Sequence, residues 1–170
     1  MKLLNGYGGG CAWPGCGYHR YCRFYAVDLV HGTNRPATQG TWVLAAGRGW
    51  VDSVGKDGTR GNYIVLHHGN GLYTEYVHLN CDLRPYFRVG DDLAGGTYIG
   101  KIGKTGAAGG VPHLHFVVMV SDNGCGGSYA GKRSIPINGI DGDWDLRVGG
   151  VYYSNNRTKA GPRGFDPGDC

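Results

Sequence analysis

"NYIVLHHGNGLYTEYVHL", residues 62–79, sets two runs rich in β-branched and aromatic residues on either side of a turn that contains Asn70 and Gly71. That arrangement predicts an antiparallel hairpin with arms at 62–68 and 72–79. The same vocabulary recurs outward from it. "TWVLAAGRGWVDSVG" (41–55) reads as strand material broken by Gly47 and Gly49, and "HLHFVVMV" (113–120) as a further strand. "RVGDDLAGGTYIGKIGKTGAAGG" (88–110) has a glycine every few residues, which suits tight turns joining very short strands. "INGIDGDWDLRVGGVYY" (137–153) predicts a terminal hairpin. No long segment carries an apolar i, i+3, i+4, i+7 stripe free of glycine. The expected fold is all-β: mainly antiparallel sheets of short strands with Gly-rich turns and few or no long helices.

At 170 residues the chain suits a single domain with a real core. Its 34 glycines follow no collagen-like period and are interleaved with Val, Ile, Leu, Tyr and Trp, so they indicate turns rather than disorder. The formal charge is +4, with no basic run longer than two residues, which gives no nucleic-acid footprint. No window is apolar enough for a membrane span. Six cysteines, Cys11, Cys16, Cys22, Cys81, Cys125 and Cys170, are an even number in a small chain and predict disulfide stapling in an oxidising compartment. Their connectivity is open, with Cys11–Cys16 around Pro14–Gly15 a plausible tight loop. A zinc knot is the rival, but no second paired knuckle follows Cys11 and Cys16. The start, "MKLLNGYGGG", has no apolar core of a signal peptide, so an exported protein is expected here as a mature form or one released by lysis.

The chemistry concentrates in a few histidines and one carboxylate. His113 and His115 open an otherwise apolar strand. In extended backbone they share a face about 6.7 Å apart, a poor way to pack a core and a good way to build a site. Asp28 interrupts the apolar run "FYAVDLV" (24–30), where a charge is costly unless it is paired or bound to a metal. Capping a turn or pairing with an arginine are the ordinary alternatives. A metal hydrolase needs two or three histidines and a carboxylate around an open coordination position. Cys22 or Cys81 as a papain-like nucleophile is disfavoured by the disulfide expectation. Tyr76, Trp42, Trp50 and Tyr98 are aromatics that could line a groove, with core packing or strand pairing the simpler reading.

Taken in order, "HRYCRFYAVDL" (19–29), "GTWVLAAGRGWV" (40–51), "TEYVHL" (74–79), "GTYIGKIGKTG" (96–106) and "VPHLHF" (111–116) resemble the lysostaphin/LytM-type zinc metallopeptidases over roughly residues 18 to 120. The resemblance implies one catalytic Zn²⁺ held by His19, Asp28 and His115, with His78 and His113 as non-ligand histidines beside the attacking water. It also implies a peptidoglycan substrate, cleaved in a cross-bridge or a stem peptide, and an enzyme that acts at the bacterial cell wall as an autolysin, a bacteriocin or a phage lysin. A monomer is expected, with Tyr76 and His68 as candidate substrate contacts and residues 121–170 as an extension packed on the catalytic core. This chain departs from the family at one place: eight residues separate His19 from Asp28, where three is the common spacing. His31 is therefore a competitor for the first ligand position. A non-catalytic relative that binds cell wall or regulates another hydrolase is the alternative from a different class, and bound zinc discriminates between them. An all-β binding module stapled by disulfides, with histidines for structure only, is a third reading.

Overall fold

The structure, a computed structural model, describes residues 2–5, 21–23, 25–31, 38–125, 131–137, 161–165 and 168–170. The hairpin at its centre forms as the sequence predicts: β5 (Gly61–His67) pairs antiparallel with β6 (Leu72–Leu79). At the turn, the His68 N–H donates to Leu72 O and the Leu72 N–H to Gly69 O, while Asn70 and Gly71 take positive φ of 49° and 69°. An Asn-Gly pair reaches this left-handed conformation at little steric cost.

The remaining strands extend the hairpin on both sides. They are β1 (Lys2–Asn5), β2 (Val27–Val30), β3 (Trp42–Leu44), β4 (Gly49–Asp57), β7 (Asp92–Leu93), β8 (Tyr98–Lys101), β9 (Leu114–Ser121) and β10 (Lys132–Ser134). One sheet runs β1-β2-β9-β6-β5-β4-β7, with β10 beside β9, and β3 and β8 form a separate two-stranded sheet. Among the described residues every strand pairing is antiparallel. The one-residue difference from the predicted start of β9 has a cause: the His113 N–H leaves the ladder and donates to Gly103 O at 3.3 Å. The helical elements among the described residues are three-residue 3-10 turns at Tyr21–Arg23 and Pro162–Gly164, and no helix there is long and apolar enough to cross a membrane. The predicted hairpin at 137–153 lies outside the described residues beyond Ile137.

The central strands of the large sheet are buried on both faces. Alternate residues Ile64, Leu66, Tyr76 and Leu114 face the main core, which the β3–β8 pair closes through Val43, Tyr98 and Ile99. Val65, Val117 and Met119 point the other way and pack with Ala26. Period-2 alternation between two covered faces explains why β5 reads as a nearly continuous apolar run. Of the four aromatics noted above, Tyr76 and Tyr98 are core residues, whereas Trp42 and Trp50 sit in strands with 50% and 42% of their surface exposed.

Among the described residues two disulfides, Cys22–Cys125 and Cys81–Cys170, close sequence separations of 103 and 89 residues. The Cys11–Cys16 candidate lies outside the described residues. The second bridge, together with Phe165 buried against Tyr98 and Phe87, brings the C-terminal residues onto the main core. On the opposite face Cys22 belongs to a second fastening. The next residue, Arg23, donates its Nε–H to Glu75 Oε2 at 2.8 Å and an Nη1–H to Lys132 O at 3.0 Å. Arg60 approaches the other Glu75 oxygen at 3.4 Å, and the Glu75 side chain is fully buried. A buried carboxylate shared by two guanidinium groups stabilises the fold only while all are present, because losing one leaves uncompensated charge in a low-dielectric interior. Glu75→Ala is therefore expected to destabilise the protein by about 3–5 kcal/mol, read as a lowered urea midpoint, and a midpoint within error of the parent would refute the dependence.

Candidate active site

β9 lies between β2 and β6, and this places the chemistry-bearing residues. Across the ladder Asp28 stands opposite His115, and His115 stands opposite Val77. Opposed residues in an antiparallel pair project from the same face. His115 alternates with Leu114 and Phe116 of the main core, so it and Asp28 project from the second face, the one that carries Val117 and Met119. His115 Nδ1 is 2.9 Å from Asp28 Oδ1, with the two residues 1% and 5% exposed.

Two more imidazoles converge on this pair. His113 Nε2 is 3.6 Å from the same Asp28 oxygen. The His113 Nδ1–H donates to Val111 O at 2.8 Å. His78, near the end of β6, places its ring 4.7 Å from that of His113 and 6.0 Å from that of His115, and its Nδ1–H donates to Thr105 O at 2.8 Å. A carbonyl accepts only, so each of these two rings carries its proton on Nδ1 when neutral and keeps a lone pair on Nε2. Burial, and then the neighbouring His113 and His115, pull the His78 pKa down to about 4; the Thr105 carbonyl and Asp28 oppose this only in part. His78 is thus a neutral base at physiological pH.

The structure therefore brings together Asp28, His78, His113 and His115. His19 lies outside the described residues. His31 is exposed, just beyond the end of β2, and its backbone N–H donates to Thr38 Oγ1. Among the described residues no group of three or more His, Cys, Asp or Glu is arranged to hold a metal ion.

Tyr76 and His68 meet in a different arrangement. The His68 Nδ1–H donates to Arg48 O at 2.7 Å, and its Nε2 is 2.8 Å from Thr74 Oγ1. Thr74 Oγ1 is in turn 3.1 Å from the Tyr76 hydroxyl, which accepts the Ala46 N–H at 2.8 Å. The chain of bonds ties the connection between β3 and β4 to the hairpin and engages both His68 nitrogens. Tyr76 is 2% exposed. The spacing of the sequence offered no sign of this relay, nor of the part played by Thr105, because a lone Thr in a turn has no distinguishing pattern.

Known proteins resemble this chain over the segment that carries most of these residues. The pattern of peptidase family M23 matches residues 29–126, which include His78, His113 and His115 and begin just after Asp28. DD-carboxypeptidase/endopeptidase Mpg of Neisseria meningitidis is 32% identical over 105 residues, 62% of this chain and 23% of that protein. Peptidoglycan DD-endopeptidase ShyC of Vibrio cholerae is 37% identical over 95 residues, 56% of this chain and 21% of that protein. The chain thus spans about a fifth of the length of these curated relatives. The catalytic domain of the antimicrobial peptidase lysostaphin from Staphylococcus simulans superposes with a TM-score of 0.56 and 29% identity, covering 78% of this chain and 87% of that one. A zinc-containing peptidase from Vibrio cholerae gives 0.54 and 28%, covering 71% and 33%. With more than half of its length matched, and the three core histidines inside the match, the chain belongs to peptidase family M23.

Proposed function

We propose that this protein is a zinc-dependent endopeptidase that hydrolyses peptide bonds of bacterial peptidoglycan. The observation that carries the reading is the buried pair of Asp28 and His115, flanked by two imidazoles whose Nδ1 positions are both held by backbone carbonyls. A carboxylate oxygen and an imidazole nitrogen that converge in a buried site are the donor types that suit Zn²⁺. In this reading Asp28, His115 and His19 hold the metal, with His31 the competitor of His19. When bound, zinc would supply a Lewis acid that polarises the scissile carbonyl and lowers the pKa of an attacking water.

The chain's own groups do the rest. His78, neutral and with its Nε2 lone pair available, takes a proton from the attacking water. His113, with its Nε2 lone pair beside Asp28, accepts a hydrogen bond from the same water and orients it, and the protonated His78 imidazole donates to the oxyanion as it forms and then passes its proton to the departing amine. The likeness to peptidoglycan endopeptidases supports the substrate class, and two disulfides suit an oxidising compartment outside the cytoplasm. We read the chain as a single catalytic domain that works as a monomer, with its C-terminal extension packed on the core.

Zinc content separates holding from working residues. The purified protein is expected to bind one zinc per chain; Asp28→Ala and His115→Ala lose it, whereas His78→Ala and His113→Ala keep it while kcat on purified peptidoglycan falls about 10²–10⁴-fold. Elemental analysis that finds zinc in His115→Ala and none in His113→Ala would reverse the assignment, and no zinc in the reconstituted parent would remove it.

The depressed His78 pKa also has a thermodynamic consequence. Between the unfolded value of 6.5 and the folded value of about 4, the unfolded chain binds a proton that the native state does not. Stability from this group is complete above pH 6.5 and is lost as pH falls towards 4. In chelator-treated protein the loss is expected to approach 3 kcal/mol, roughly 1.4 kcal/mol for each pH unit between the two values, and His78→Gln is expected to flatten that slope in urea titrations. Equal slopes in the two proteins would contradict the assignment.

A further inference from the structure

His78 has an unusual backbone. Across the β5–β6 ladder Asn62 opposes Leu79, but the next pair is Ile64 with Tyr76, so Val77 and His78 together stand against Tyr63. This is a β-bulge, and His78, its extra residue, has φ of +64°. Left-handed backbone is unfavourable for a residue with a Cβ and persists only where the surroundings over-determine it. Here they do. The His78 N–H donates to Arg60 O at 3.0 Å, the Gly103 N–H donates to His78 O at 3.0 Å, and the ring is held by Thr105 O.

Thr105 is the hub of that arrangement. Its hydroxyl accepts the Asn62 N–H at 3.0 Å and donates to Leu79 O at 2.8 Å, bridging the two residues that face each other where the ladder breaks. The Asn62 side-chain amide donates to the same Leu79 carbonyl at 3.1 Å. Gly61 and Gly106 permit this approach, because a Cβ on Gly61 would collide with Thr105 and one on Gly106 with Gly61. Both glycines also have positive φ, at 63° and 69°.

We infer that Thr105 is a positioning residue for His78: its carbonyl sets the tautomer and direction of the imidazole, and its hydroxyl locks that carbonyl to the β5–β6 bulge. The inference rests on the reading of His78 as the base, and it adds a residue that acts through His78 without touching substrate or metal. A plain turn-closing role would leave the imidazole unaffected, so the tautomer distinguishes the two.

The test compares Thr105→Val, which keeps the volume and removes the hydroxyl, with Thr105→Ser, which keeps the hydroxyl, in the zinc-loaded full chain. Three quantities are read: kcat and KM on purified peptidoglycan, zinc affinity by chelator competition, and the imidazole nitrogen-15 shifts of His78. Thr105→Val is expected to lower kcat about 10–100-fold, the usual effect of losing a group that orients an active-site ligand, with KM and zinc affinity unchanged. The His78 shifts are expected to move from the Nδ1–H form to a mixture of tautomers, and Thr105→Ser to recover most of both losses. Wild-type kcat or an unaltered His78 tautomer in Thr105→Val overturns the proposal, as does failure of Thr105→Ser to rescue. If Thr105→Val does not fold, Thr105→Ala, which leaves room for a water, is judged by the same readouts, and failure of both to fold overturns the proposal by making Thr105 a folding residue. Full activity in His78→Ala would instead overturn the reading of His78, while the tautomer measurement still decides what Thr105 does.

Discussion

β9 is hydrogen-bonded along one edge to β2 and along the other to β6, and the candidate site follows from that double pairing. Neighbouring strands lie roughly 4.8 Å apart, so opposed residues on one face touch. Asp28 and His115 are such a pair, and their contact joins residues 87 positions apart in the chain. The third strand needs a correction to take part. Val77 opposes His115 and shares its face, so in regular alternation the next residue, His78, would point into the opposite layer. The bulge and the left-handed backbone at His78 bring its ring back towards His113 and His115. A defect in the ladder is thus what completes the cluster, in keeping with the tendency of bulges to re-aim side chains beside functional sites.

Orientation of the imidazoles is delegated to backbone carbonyls in tight turns, Val111 O for His113 and Thr105 O for His78. A carbonyl is held by the chain on both sides and lacks rotamer freedom, which makes it a stiffer acceptor than a side chain. The Gly-rich segment before β9 supplies these turns. Its glycines matter less as flexible joints than as places where one backbone passes close to another: a Cβ on Gly103 would meet the Asn80 backbone, and one on Gly106 the Gly61 backbone.

The second face of the sheet carries both the site and the Arg23–Glu75–Arg60 network. Cys22 and Arg23 lie a few residues ahead of β2. Both are fastened, Cys22 to Cys125 and Arg23 to Glu75 and Lys132 O, so the approach to β2 is tied down at two adjacent residues. The Tyr25 N–H adds a bond to Ser134 Oγ at 3.1 Å.

Much of this was legible in the sequence, and the division has a physical basis. Alternation, β-branched content and Asn-Gly chemistry are local properties, so the all-β class and the hairpin at 62–79 could be read directly. The order of short motifs was enough to recognise the family, and that resemblance singled out His19, Asp28, His78, His113 and His115; of these, only the pairing of His113 with His115 on one face was also legible from strand alternation. Cysteine pairing was not legible, since six thiols have many connectivities and only the fold brings Cys22 to Cys125 and Cys81 to Cys170. Nor was the bulge that turns His78, the bridging hydroxyl of Thr105 or the buried charge of Glu75. Each depends on segments distant in sequence that arrive at the same place, Asn62 with Thr105 and Arg23 with Glu75. Residue type and spacing determined which groups could do chemistry; the packing of strands decided which of them meet, at what distance and in which protonation state, because burial and hydrogen-bond partners exist only once the chain has folded.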